Sequence, residues 1–127
     1  MGVARILVVE DNPDNSDLIV DLLTLTGHEV IQATNGREGV EMARDRHPDL
    51  ILMDISLPVM DGLAATEEIK KDPQLNPVPV IALTAHAMAG DEQRALVAGC
   101  NGYITKPVDI KTFSNRILAY LKGSTNG

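Results

Sequence analysis

Four short apolar runs in this chain each end in a polar residue, and the end residues suit phosphoryl chemistry. Ile6-Leu7-Val8-Val9 leads into Glu10 and Asp11, Leu50-Ile51-Leu52-Met53 into Asp54, Val80-Ile81-Ala82-Leu83 into Thr84, and Tyr103-Ile104-Thr105 into Lys106. If the runs are parallel neighbours, three carboxylates, a hydroxyl and an ammonium meet at one sheet edge, where open α/β sheets place their ligand sites. Clustered carboxylates repel one another, and a divalent cation relieves the repulsion. An all-oxygen ligand set with no His or Cys nearby favours Mg²⁺ or Mn²⁺ over Zn²⁺. The charges of three carboxylates, a dication and Lys106 then cancel. Asp54 ends the central run and is the expected nucleophile, since aspartate forms acyl-phosphate intermediates. Lys106 and the metal would neutralise the transferred group and Thr84 would hydrogen-bond it.

Strand-like and helix-like patterns alternate along the chain, as a parallel α/β sheet requires. Expected strands run from Arg5 to Glu10, Glu29 to Ala33, Leu50 to Met53, Val80 to Leu83 and Gly102 to Thr105. Pro13 opens a helix that runs to about Thr26 and stops at Gly27. Asn35-Gly36 turns into a second helix, ending near His47-Pro48. A Pro-containing loop, Ser56 to Asp61, precedes a helix over Gly62 to Lys71. Ala85 to Gly90 is rich in small residues and is expected to be loose. Asp91-Glu92 open the next helix and Gly99 closes it. Asp109 caps the last helix, whose expected buried face is Ile110, Phe113, Ile117 and Leu121. The central runs are apolar without alternation, as in strands covered on both faces. Right-handed crossovers then favour the order 2-1-3-4-5, with strands 1 and 3 adjacent at a switch point.

With 127 residues, the chain is expected to form one domain over residues 1–122, followed by a disordered tail over 123–127. A net charge of −7 argues against a nucleic-acid partner. The apolar runs are too short to span a membrane, and no signal-peptide pattern opens the chain. A cytoplasmic location is expected. The single cysteine, Cys100, permits no internal disulfide and reads as a small buried hydrophobe. His28 and His47 read as surface residues near helix ends.

Val9-Glu10-Asp11-Asn12, Leu52-Met53-Asp54 through Pro58 to Asp61-Gly62, Leu83-Thr84-Ala85 and Tyr103-Ile104-Thr105-Lys106-Pro107 together resemble the receiver domain of two-component response regulators. The likeness spans nearly the whole chain, in order and at the family's spacing. It implies a flavodoxin-like (βα)₅ fold and phosphorylation of Asp54 by a histidine kinase or a histidine phosphotransfer protein. It further implies Mg²⁺ held by Glu10, Asp11, Asp54 and the main-chain carbonyl of Ser56, slow self-catalysed loss of the phosphoryl group, and a cis Lys106-Pro107 bond. Thr84 and Lys106 would sense the phosphate, and Tyr103 would turn inward as a switch; simple edge packing is the competing reading of Tyr103. Ser56 and His86 occupy positions at which the family tunes phosphoryl lifetime; an ordinary flexible-loop residue is the competing reading of His86. The first helix carries Leu18, Ile19, Val20, Leu22, Leu23 and Leu25 over an arc wider than core packing needs. Part of that edge is expected to dock a helix of the phosphodonor, as the resemblance implies; a deeply buried helix is the competing reading.

A haloacid-dehalogenase-like phosphatase is the alternative, since it also uses a strand-end aspartate and Mg²⁺. That chemistry wants an acid two residues after the nucleophile, where Ser56 stands. A flavin module would need stacking aromatics and a phosphate loop, and direct use of ATP a G-x-x-x-x-G-K-[ST] loop; the sequence has neither. No output domain is expected to follow the last helix, and signalling through a downstream effector protein is expected, whether the chain stands alone or comes from a hybrid kinase.

Overall fold

The computed structural model describes residues 4–55, 61–84, 91–106 and 108–122. The expectations for the loose segment 85–90 and the tail 123–127 lie outside these residues.

Among the described residues five strands alternate with five helices: β1 (Arg5–Val9), α1 (Pro13–Leu25), β2 (Glu29–Ala33), α2 (Gly36–Arg46), β3 (Leu50–Asp54), α3 (Gly62–Lys71), β4 (Val80–Thr84), α4 (Asp91–Ala98), β5 (Gly102–Thr105) and α5 (Ile110–Leu121). The strands form one parallel sheet in the expected order β2-β1-β3-β4-β5. All five residues of β3 and of β4 are buried, which is why their sequences do not alternate.

Side-chain alternation instead divides the core into two layers. Leu7, Val9, Ile51, Met53, Val80 and Ala82 face α2, α3 and α4 through Val40, Ala43, Ala65, Ile69 and Ala95. Ile6, Val8, Leu50, Leu52, Ile81 and Leu83 face α1 and α5 through Ile19, Leu23, Phe113 and Ile117. Truncating one of these central aliphatics to alanine should cost about 2–5 kcal/mol.

The helix starts follow their side chains. The Asn12 carboxamide oxygen accepts from the main-chain N–H groups of Asp14 and Asn15, with Pro13 in the first turn. Asn35, Asp61 and Asp109 cap α2, α3 and α5 in the same way. Gly27 and Gly99 take the left-handed backbone that their turns need, with φ of 88° and 111°.

Three expectations are corrected. β1 stops at Val9, one residue short of Glu10, while β3 and β4 extend one residue further to include Asp54 and Thr84. The ladder decides this: Asp54 pairs with Leu83 and Thr84 with Thr105. Ile110 is 62% exposed and does not belong to the buried face of α5. Val108, just before the Asp109 cap, is buried instead and shares a core cluster with Phe113, the arrangement of a hydrophobic staple. Leu121 is only half-buried.

Candidate functional site

The sheet order sets β1 beside β3 and β3 beside β4, so Glu10, Asp54 and Thr84 reach one edge on adjacent strand tips. Glu10 and Asp54 are buried and Asp11 is exposed beside them. One carboxylate oxygen from each lies within 4.8 Å of the others. Lys106 enters from the end of β5. Its Nζ donates to Glu10 Oε1 at 3.0 Å and to Asp54 Oδ2 at 3.0 Å. Its main-chain N–H donates to the Thr84 carbonyl at 2.7 Å, which ties the tips of β4 and β5 together.

Burial is the largest influence on Glu10; with the adjoining Asp54 carboxylate it raises the Glu10 pKa above its ordinary value, against the opposing effect of Lys106. For Lys106, burial alone would lower the pKa. The bonds to Asp54 and Glu10 outweigh it, and the ammonium is held more firmly than usual. One lysine therefore does not fully balance the buried carboxylates. This surplus of negative charge, with oxygen-only donors converging, fits a divalent cation held by Glu10, Asp11 and Asp54.

The Thr84 hydroxyl is buried, and its oxygen finds no hydrogen-bond partner among the described residues. A buried, unpaired hydroxyl costs about 1–3 kcal/mol. Its position one residue beyond Leu83, the ladder partner of Asp54, suits a group that bonds an oxygen arriving at the aspartate.

The structure thus brings Glu10, Asp11, Asp54, Thr84 and Lys106 together. Tyr103 is half-buried and packs against the core cluster beneath α3 and α4. Ser56, His86 and Pro107, and with them the carbonyl ligand, the lifetime-tuning pair and the cis bond, lie outside the described residues.

Two contributors escaped the sequence reading as site residues. The Asn12 main-chain N–H donates to Glu10 Oε2 at 3.2 Å and orients that carboxylate. Gly62 starts α3 directly over the Asp54 backbone, where a Cβ would run into the Asp54 carbonyl oxygen and Ile55 Cα. The Asp61-Gly62 pair signals a helix start, but nothing local signals that close approach.

Residues 6–118 match the family model described as the response regulator receiver domain. Over 116 residues the chain is 47% identical to the polar-differentiation response regulator DivK of Brucella ovis, covering 91% of this chain and 94% of that protein. Among solved structures, it is 41% identical to the receiver domain of the sensor histidine kinase PA1611 from Pseudomonas aeruginosa, crystallised with a magnesium ion in its active-site cleft. That match has a TM-score of 0.87 and covers 96% of this chain and 99% of the other. A chain in the co-crystal structure of the Saccharomyces cerevisiae phosphotransfer protein Ypd1 with the receiver domain of Ssk1 is 32% identical. Its TM-score is 0.88, with 97% of this chain and 92% of the other covered.

Proposed function

Because the chain belongs to the response regulator receiver family, as a receiver domain of two-component signalling, we propose that it accepts a phosphoryl group on Asp54 from a histidine kinase or histidine phosphotransfer protein. The observation that carries this reading is the Lys106 ammonium seated between Glu10 and Asp54, with the buried Thr84 hydroxyl on the neighbouring strand tip finding no hydrogen-bond partner among the described residues. Glu10, Asp11 and Asp54, with the Ser56 main-chain carbonyl, would hold Mg²⁺, which when bound supplies positive charge against the phosphoryl oxygens. Asp54 offers its carboxylate oxygen to the phosphorus. Lys106 stays beside the negative charge that accumulates there, and Thr84 donates its O–H to a phosphoryl oxygen. The match to receiver domains leaves the dehalogenase-like reading without support.

Donor docking is supported by the first helix. Leu18 and Leu25 are exposed while Ile19 and Leu23 are buried, so the wide apolar arc is divided between core and surface. Leu18 and Ile19, with Asn15 and Val108, line a shallow cleft beside Lys106. The apolar edge of a donor helix could rest there with its histidine near Asp54. Phosphorylation would be read by a downstream effector protein, with Thr84 and Tyr103 as the switch and Ser56 and His86 setting water access. Among the described residues no helix is long and apolar enough to cross a membrane, and we place the protein in the cytoplasm.

Intact-mass spectrometry after incubation with acetyl phosphate and Mg²⁺ tests the assignment. Wild type should gain one hydroxylamine-labile phosphoryl group and Asp54→Ala none. An equal gain in Asp54→Ala overturns Asp54 as the acceptor.

A further inference from the structure

Among the described residues β5 is an edge strand, paired with β4 alone. Lys106 turns its main-chain N–H toward β4, onto the Thr84 carbonyl. By the alternation of a strand, Ile104 also turns toward β4, while Tyr103 and Thr105 turn their main-chain groups to the open edge. An unpaired edge carbonyl normally goes to water. The Tyr103 carbonyl instead accepts from the Arg116 guanidinium on α5, at 2.7 Å. Arg116 is exposed, and among the described residues it pairs with no carboxylate, so its charge is committed to this one main-chain oxygen. A turn further along α5, Tyr120 lies over Gly102, where a Cβ would collide with the phenol oxygen and ring. Helix α5 therefore grips two successive residues of β5 from outside, with Phe113 and Ile117 buried beneath.

The gripped segment is the one that delivers Lys106. Only Ile104 and Thr105 separate Tyr103 from the lysine whose ammonium must lie 3.0 Å from both Glu10 and Asp54. Without a restraint on its outer side, a four-residue edge strand can shift against β4 and carry that ammonium with it. We propose that Arg116 is a positioning residue for phosphoryl transfer: by holding the Tyr103 carbonyl it fixes the open edge of β5 and so the placement of Lys106 at Asp54. The proposal rests on Asp54 being the phosphoryl acceptor. The guanidinium touches no reacting atom. It acts through β5, which places it outside the acidic cluster and beyond the sequence motifs that mark the site.

The test compares wild type, Asp54→Asn, Arg116→Met and Arg116→Lys. Measured quantities are the initial rate of phosphorylation by acetyl phosphate at saturating Mg²⁺, the amide shifts of Tyr103 and Lys106 in ¹H–¹⁵N spectra, and the melting temperature. Met keeps most of the apolar stem and removes the donors; Lys restores one donor. Arg116→Met should be slower by roughly a factor of ten, with both amide shifts moved and the melting temperature unchanged. Arg116→Lys should recover most of the rate. An Arg116→Met chain as fast as wild type overturns the proposal, as does an Arg116→Lys chain as slow as Arg116→Met or a rate loss that tracks a loss of melting temperature. A wild type no more phosphorylated than Asp54→Asn would instead overturn the Asp54 reading beneath it.

Discussion

Two partly buried lysines stand at opposite ends of the sheet and face different chemistry. Lys106, at the C-terminal edge, donates to two carboxylates. Lys70, in the last turn of α3 at the other edge, donates to the main-chain carbonyls of Asn76 at 3.0 Å and Val78 at 2.8 Å. Its stem packs so closely under Gly99 that a Cβ there would meet Lys70 Cγ at 2.9 Å. Burial works to lower the pKa of both. At Lys106 the anionic partners overcome it and the pKa rises; at Lys70 burial prevails over the nearby Cys100 and the pKa falls. A buried cation therefore does not mark a reaction centre by itself. A surplus of anions around one sets Lys106 apart, because it leaves the site able to take up more positive charge, as the proposed acceptance of a phosphoryl group requires.

Removing each cation should separate the two regions most sharply. Lys106→Met should slow phosphorylation of Asp54 by roughly a hundredfold or more, the scale expected when a preorganised donor to a developing anion is lost. Lys70→Met should leave that rate at the wild-type value. Equal losses in the two variants would mean that the lysines share a structural role and that the contrast in their partners is irrelevant to function.

The acidic site should also respond to Mg²⁺ in a pH-dependent way. The Glu10 pKa lies above its ordinary 4.5 in the fold, so the native state binds this proton more tightly than the unfolded chain. Its contribution to metal-free stability is greatest below pH 4.5 and falls as pH rises through the folded value. Lys106 contributes stability that is fully present below pH 10.5 and lost only above it, as pH rises through the raised folded value, so it does not shape the acidic window. Metal binding needs deprotonated carboxylates. Mg²⁺ at a hundred times its Kd should therefore add about 2.7 kcal/mol at neutral pH, seen as a rise in Tm. That gain should vanish below pH 4.5, where Glu10 is protonated. A gain independent of pH, or one retained in Glu10→Gln/Asp54→Asn, would place the ion elsewhere.

At the opposite end the expected effect concerns stability alone. Lys70→Met removes the donor to two carbonyls and should cost about 1–2 kcal/mol in chemical denaturation. Because the Lys70 pKa is lowered, its wild-type contribution rises with pH between the folded value and 10.5 and is flat below that window. A Lys70→Met chain as stable as wild type would show that water serves those carbonyls equally well.

The two ends also differ in how far the sequence reveals them. The reactive edge is legible because each apolar run stops at a polar residue of a particular type, and parallel order brings those stops together. Even the one-residue differences at Glu10, Asp54 and Thr84 concern only where each register of paired residues ends: Glu10 has no paired residue, although its main-chain N–H donates to the Ala33 carbonyl at 3.0 Å. Ile110 was misassigned because helical period alone cannot tell that Val108, ahead of the cap, takes the place against Phe113. The Lys70 region left no comparable trace. Lys70 reads as half of a basic pair at a helix end, and its partners are loop carbonyls, whose positions depend on how the chain between α3 and β4 turns. Arg116 is hidden for the same reason: its partner is a main-chain oxygen, and no residue type advertises one. Side chains that act on side chains leave a pattern in sequence, whereas side chains that act on backbone leave almost none.

Cys100 tests the quiet end at its smallest scale. The thiol is buried and donates to Thr66 Oγ1 at 3.8 Å, while the Thr66 hydroxyl donates to the Gly62 carbonyl at 2.7 Å. A neighbouring ammonium ordinarily lowers a thiol pKa and makes the sulfur nucleophilic. Here burial is the larger influence: it raises the Cys100 pKa against the opposing effects of Thr66 and Lys70, and at neutral pH the sulfur stays protonated. Iodoacetamide should therefore alkylate native protein slower than urea-unfolded protein by roughly tenfold or more. Cys100→Ala should cost about 1 kcal/mol and leave phosphorylation of Asp54 unchanged. If native Cys100 instead reacts as fast as it does in the unfolded chain, Lys70 must be stabilising a thiolate, and the distinction between a cation among anions and a cation among carbonyls fails at this end of the sheet.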